Sequence, residues 1–151
     1  MPPRILIADD SALLRAALRG LFSDIGDYEI MEAETGAEAV AKAEASPPDV
    51  IILDFAMPEM DGLSATRVLR KRLPEIPILM YTMHYTQQLC EAAQGAGVRK
   101  VISKSETNIL IAAIQELLSS PPAAAKPVPA TAVTATVGDV AFGMPTARTG
   151  T

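Results

Sequence analysis

The sequence predicts an α/β protein, a doubly wound five-stranded parallel sheet with helices on both faces. Three observations lead there. Short aliphatic runs alternate strictly with stretches of helical periodicity, and that alternation implies crossover connections and a parallel sheet. The aliphatic runs are almost unbroken, as strands buried on both faces are. The polar residues that interrupt those runs fall at their C-terminal ends, where open α/β sheets bind ligands.

The elements follow in chain order. "RILIA", residues 4–8, is a buried-strand run. In "SALLRAALRGLF", Leu14, Ala17, Leu18 and Leu21 recur at helical spacing, with Arg15 and Arg19 on the other side. "YEIMEA" alternates like a half-buried strand. "TGAEAVAKAEA" opens with Thr35 and Glu38 at capping-box spacing. "DVIIL" is the third strand, and "LSATRVLRKRL" is a helix that stops before Pro74. "IPILMYT" is the fourth strand, with Pro77 tolerated at its start. "TQQLCEAAQGAG" is a helix closed by glycines. "RKVIS" is the fifth strand, and "ETNILIAAIQELL" is the last helix, with Ser105 a candidate N-cap. Five strands suit the flavodoxin-like order 2-1-3-4-5.

The chain has 151 residues, enough for one domain with a sizeable core. Its net charge of −5 argues against a bare nucleic-acid binder. The lone cysteine, Cys90, excludes a disulfide framework and fits a reducing compartment. No apolar run is long enough to cross a membrane, and "MPPRILIADD" has no signal-peptide pattern. A soluble cytoplasmic protein is expected. After Leu118 there is no further Leu or Ile. The expected division is one domain over residues 1–119 and a Pro/Ala/Thr-rich flexible tail over 120–151. "TAVTATVGDVAF" has some strand propensity, which leaves a short pairing strand as the alternative for part of the tail. Lys126 and Arg148 against Asp139 leave the tail at +1 and residues 1–118 at −6.

Asp9 and Asp10 follow the first strand, Asp54 the third, Thr82 the fourth and Lys104 the fifth. In the order 2-1-3-4-5 the first and third strands are neighbours, so Asp9, Asp10 and Asp54 should converge. Three carboxylates in one pocket repel each other. Mg²⁺, a hard cation with oxygen ligands, relieves that, and Lys104 adds a positive charge. Carboxylates, a divalent cation, a lysine and a hydroxyl together suit a phosphoryl group. Asp54 is then the candidate covalent nucleophile. Taken singly, each residue has a plainer reading. Asp10 and Ser11 are helix-capping types, Lys104 a surface lysine, and Thr82 a strand-end hydroxyl.

"LIADDS", "VIILDFAMPEMDG", "YTM" and "VISKS", in that order and spacing, resemble the response-regulator receiver domain of two-component signalling. The resemblance covers residues 4 to 118. It implies that Asp54 is the phosphoacceptor. It implies a Mg²⁺ site formed by Asp10, Asp54 and the Ala56 carbonyl, with Asp9 acting through water. It makes Thr82 the switch hydroxyl and Lys104 the phosphate partner. The family takes phosphate from a histidine kinase or phosphotransfer protein and catalyses that transfer itself, while signalling to a downstream protein rather than acting as an enzyme. It often forms homodimers through its first, fourth or fifth helix.

"TMH" and "KS" are similar to the NarL/FixJ subfamily, whose members usually carry a DNA-binding helix-turn-helix. No such domain follows in this sequence. Val101 stands where receivers usually have an inward-rotating aromatic, with Tyr85 and Tyr81 the candidates to replace it. Ser105 stands where a cis proline is common, which predicts a strained or rearranged loop. Ala56 and His84 occupy positions that tune phosphoryl lifetime, and Met83 is placed to narrow access. Two rival readings stay open. One is a phosphorylation-independent interaction module, and the other is a DNA-binding regulator lacking its output domain.

Overall fold

The structure is a computed structural model and describes residues 2–119. The expected tail, with its alternative strand, lies outside the described residues. Ten elements alternate as expected: β1 (Arg4–Ala8), α1 (Ala12–Ile25), β2 (Glu29–Ala33), α2 (Gly36–Ala45), β3 (Val50–Leu53), α3 (Gly62–Arg72), β4 (Ile78–Thr82), α4 (Gln87–Ala96), β5 (Lys100–Ser103) and α5 (Thr107–Ser119). All the strands pair in parallel, in the order β2-β1-β3-β4-β5.

Side-chain alternation along each strand divides the core into two layers. Ile5, Ile7, Val50, Ile52, Leu79 and Tyr81 face α1 and α5, meeting Leu18, Phe22, Leu110 and Ile114. Leu6, Ala8, Ile51, Leu53, Ile78 and Met80 face α2, α3 and α4, meeting Ala39, Ala65, Leu69 and Ala93. β3 is buried along its whole length, which explains why "VIIL" shows no alternation. Burying each such aliphatic side chain stabilises the fold by roughly 1.5–3 kcal/mol.

Helix starts carry the polar residues that free N–H groups need. Ser11 Oγ accepts from Leu14 N (3.2 Å), Thr35 Oγ1 from Glu38 N (3.0 Å), Asp61 Oδ1 from Ser64 N (2.8 Å) and Thr86 Oγ1 from Leu89 N (3.0 Å). The capping box at Thr35 is a variant, because Glu38 reaches the backbone N–H of Glu34 rather than that of Thr35. α4 ends on Gly97 at φ 107°, the left-handed conformation that closes a helix.

Two local expectations are corrected. Arg15 does not lie on the solvent side of α1, being only 7 % exposed, whereas Ala17 is exposed. The helix turns that far because Arg15 finds acceptors at the sheet edge. Ser105 is not the cap of α5. That helix starts at Thr107, with the Glu106 carbonyl accepting from Ile109 and Leu110. The Ser105 hydroxyl pairs instead with Ser103 Oγ at 2.9 Å. Ile109, Ile111 and Leu118 of α5 are half-buried against the α1/α5 core layer.

Glu32 is held between two arginines of α1, with Arg15 Nε at 2.9 Å and Arg19 Nη2 at 2.7 Å. The Arg19 hydrogen bond, helped by Arg15 against a small burial penalty, holds the Glu32 carboxyl below its ordinary value. A depressed carboxylate contributes stability above its unfolded value and loses it as the pH falls through its folded value. Glu32→Gln should therefore cost about 0.5–1 kcal/mol at pH 7, the range for partly exposed pairs. The difference should shrink once the pH drops below the ordinary value of 4.5. Urea titrations of both proteins across that window check it, and a difference unchanged at low pH would contradict the pairing.

Candidate functional site

Sheet register assembles the site. Ala8 pairs with Leu53, Leu53 with Met80, and Thr82 with Ser103. The next residues out of β1, β3 and β5 are Asp9, Asp54 and Lys104, so they leave the sheet at one edge. Backbone bonds extend the ladder a step further, Asp54 N to Ala8 O at 2.9 Å and Lys104 N to Thr82 O at 2.9 Å.

Asp9, Asp10 and Asp54 each offer an oxygen, and these oxygens lie within 4.8 Å of one another. Asp9 and Asp54 are buried and Asp10 is exposed, so the cluster opens to solvent on one side. Lys104 Nζ lies 2.7 Å from Asp9 Oδ2 and 3.2 Å from Asp54 Oδ2. The second Asp9 oxygen accepts from Ser11 N at 2.8 Å. Asp54 Oδ1 is buried and has no hydrogen-bond partner among the described residues. An unsatisfied buried acceptor costs on the order of 1–3 kcal/mol. A cation that prefers oxygen ligands removes that cost, and three carboxylates are the donor set it takes. The residues present therefore fit a metal ion.

Burial raises the Asp9 carboxyl above its usual value, with the Asp54 charge pushing the same way. The hydrogen bonds from Lys104 and Ser11 pull against both. Burial alone would lower the Lys104 ammonium. Its bond to Asp9 and the charges of both aspartates outweigh that, and its pKa is raised. Lys104 therefore stays charged at neutral pH.

Thr82 is fully buried, and its Oγ1 accepts from His84 N at 3.1 Å. His84 is exposed, and its ring meets Phe55 edge-on, the centroids 6.1 Å apart. That contact joins the loop after β3 to the loop after β4. Ala56 is exposed within the first of these loops. Met57 is buried and Met60 packs on the same core layer. Met83 is 79 % exposed, so the expected narrowing of access has no packing behind it. The loop after Asp54 closes on Gly62, where a Cβ would sit 2.4 Å from the Asp54 carbonyl oxygen. Only glycine allows that approach.

Val101 is half-buried on the α2–α4 side of β5. Of its two candidate replacements, Tyr81 is buried on the opposite face of the sheet. Tyr85 is half-exposed and lines a shallow groove with Val101 and Cys90 between α4 and β5. The Lys104–Ser105 loop is rearranged rather than strained. No described peptide bond is cis, and the turn closes through Glu106 N to Ser103 O at 2.9 Å.

Two residues of the site escaped the sequence reading. Arg15 donates from Nη1 to the Asp9 backbone carbonyl and from Nε to Glu32 at 2.9 Å, tying the acidic strand end to β2. Its one signal is a basic residue a turn into the helix that follows the acidic pair. Phe55 gave no signal, because its partner is 29 positions away in another loop.

The profile of the response regulator receiver domain matches residues 5–115. The chain is 36 % identical over 106 residues to the response regulator protein VraR of Staphylococcus aureus (strain N315), covering 70 % of this chain and 51 % of that protein. The chain thus spans about half the length of the curated relatives it matches. Among solved structures, it resembles a LuxR-family two-component response regulator from Aurantimonas sp. SI85-9A1, with TM-score 0.74 and 29 % identity over 79 % of this chain and 86 % of that one. It also resembles the Vibrio cholerae chemotaxis protein CheY4, with TM-score 0.72 and 29 % identity over 78 % and 99 %. No described helix is long and apolar enough to cross a membrane. The fold, the matched span and the acidic strand-end cluster agree, and the chain belongs to the response regulator receiver domain family of two-component signalling.

Proposed function

We propose that Asp54 accepts a phosphoryl group from the phosphohistidine of a histidine kinase or phosphotransfer protein, and that the phosphorylated chain signals by protein contact in the cytoplasm. The observation that carries this reading is the state of Asp54 itself. One of its oxygens faces a charged lysine at 3.2 Å, and the other is buried without a partner among the described residues. In the transfer, an Asp54 carboxylate oxygen attacks phosphorus. The new O–P bond forms as the N–P bond breaks, and the histidine ring keeps the electron pair and takes up a proton. Lys104 neutralises phosphoryl oxygens, and the Thr82 hydroxyl donates to one of them. Asp10, Asp54, the Ala56 carbonyl and, through water, Asp9 would hold Mg²⁺, which supplies charge neutralisation when bound. His84 and Ala56 flank the acceptor and set how readily water reaches it. Drawing Thr82 toward the phosphate shifts the loop that holds Met83, His84 and Tyr85. The signal is then a population shift of the surface around α4, β5 and α5, with the groove beside Val101 open where receivers usually carry an aromatic. A groove of about 510 Å³ between α1 and α5, lined by Leu14, Ala17, Leu21 and Tyr81 among others, is the surface that supports partner docking or a homodimer.

A second reading has one observation in its favour. A solved structure described as a DNA-binding response regulator of the LuxR family, from Staphylococcus aureus, is 29 % identical with TM-score 0.71. The net charge of −5 weighs against direct DNA contact by this chain. A low-salt gel-shift titration separates the two readings.

Incubation with acetyl phosphate and Mg²⁺ should retard the wild-type band on a phosphate-affinity gel and leave Asp54→Ala unshifted. Shifts in both would move the acceptor elsewhere. Shifts in neither would favour an interaction module that works without phosphorylation. Mg²⁺ at ten times its dissociation constant should stabilise the fold by about 1.4 kcal/mol. For a domain of this size that is a melting shift of about 5 °C. Asp10→Asn and Asp54→Asn should lose the shift, and a shift retained by both would remove these carboxylates from the metal site.

A further inference from the structure

Tyr81 is buried in β4, directly before Thr82, and is 3 % exposed. A buried phenol needs a partner for its hydroxyl. This one has two, the Lys104 carbonyl at 3.4 Å and Thr107 Oγ1 at 2.7 Å. A phenol has a single proton to give. If it goes to the Lys104 carbonyl, the Thr107 hydroxyl donates to the Tyr81 oxygen, and the chain runs Thr107 to Tyr81 to Lys104. Tyr81 lies in the core layer facing α1 and α5, so its ring reaches under the loop that joins β5 to α5.

The neighbouring residue holds the other backbone polar group of Lys104, since the Thr82 carbonyl accepts from Lys104 N at 2.9 Å. Two consecutive residues of β4 thus grip both backbone polar groups of Lys104. The Lys104 side chain then spans to Asp9 and Asp54. The loop has no proline to fix it, and its other bonds include the hydroxyl pair of Ser103 and Ser105, the Ser105 N–H donating to Ser103 Oγ at 3.2 Å, and the turn at Glu106. The Ser103–Ser105 pair is exposed to water, whereas the Tyr81 bonds are half-sheltered.

We propose that Tyr81 is a positioning residue for Lys104: the Thr107–Tyr81 hydroxyl pair fixes the Lys104 carbonyl and thereby aims Nζ at the two aspartates. The proposal rests on the reading of Asp54 as phosphoacceptor for its effect on transfer, but not for its effect on Lys104. Tyr81→Phe keeps the ring and removes the hydroxyl, and Thr107→Val removes the group that feeds it. Two readouts apply to each variant. One is the rate of Asp54 phosphorylation from acetyl phosphate at saturating Mg²⁺. The other is the ¹H–¹⁵N signal of the Lys104 ammonium, which ion pairing protects from exchange.

Both variants should slow phosphorylation about fivefold, the worth of one ordinary hydrogen bond, and should shift or broaden the ammonium signal. In a Lys104→Ala background, Tyr81→Phe should bring no further loss, because its effect runs through the lysine. An equal loss in both backgrounds would make Tyr81 a packing residue only and overturn the proposal. An unchanged rate with an unchanged ammonium signal would overturn it as well. If wild type takes up no phosphate, the phosphoacceptor reading falls and the ammonium signal alone decides. A change on losing the Tyr81 hydroxyl keeps the positioning role, and no change removes it.

Discussion

Lys104 Nζ lies 2.7 Å from Asp9 and 3.2 Å from Asp54, and this three-way contact lets two buried carboxylates share one sheet edge. Two like charges about 4 Å apart repel by about 4 kcal/mol at the effective dielectric of a protein surface. Desolvation adds to that, as the raised Asp9 carboxyl records. One ammonium offsets part of the repulsion. With Asp10, the three carboxylates and one lysine leave a formal −2, the charge that a single divalent cation balances. The ligand-free site is therefore short of positive charge by design of its sequence. That shortage favours a cation, and under the proposed function the cation with Lys104 would then balance a phosphoryl group.

The fold exists to hold that shortage in place. A β1–β3 register slipped by one residue would move Asp9 off the level of Asp54 and turn every aliphatic side chain of β1 to the wrong layer. Because both faces of the inner strands are dry, the register is fixed by packing rather than by the polar residues. The site is then rigid where the sheet supplies it, at Asp9, Asp54 and Thr82. Loops supply the rest, His84 after β4 and Lys104 after β5.

Most of this was legible in the sequence for one reason. Parallel strands buried on both faces read as unbroken aliphatic runs, and the residue that ends each run is the residue at the site. Asp9, Asp54, Thr82 and Lys104 were found that way. What stayed hidden depended on partners distant in sequence. Arg15 follows the periodicity of a solvated helix face, yet it is buried because Glu32 and the Asp9 carbonyl wait at the sheet edge. Ser105 has the chemistry of a helix cap, but a nearer hydroxyl at Ser103 takes it. Phe55 meets His84 only because two loops fold over one strand end.

Tyr81 and Thr82 give the last step of this logic. Alternation sends adjacent strand residues to opposite faces, so a signal at one face ordinarily stops at the backbone between them. Here both residues meet again at Lys104, Thr82 through its carbonyl and Tyr81 through its hydroxyl. The α1/α5 layer and the acidic pocket are joined at the backbone of a single lysine, through hydrogen bonds at its N–H and its carbonyl rather than a ring that swings. Val101 leaves the opposite side of β5 without an aromatic. If the proposed positioning role of Tyr81 holds, the coupling proposed between pocket and surface has a path on the Tyr81 side that does not depend on side-chain rotation at position 101.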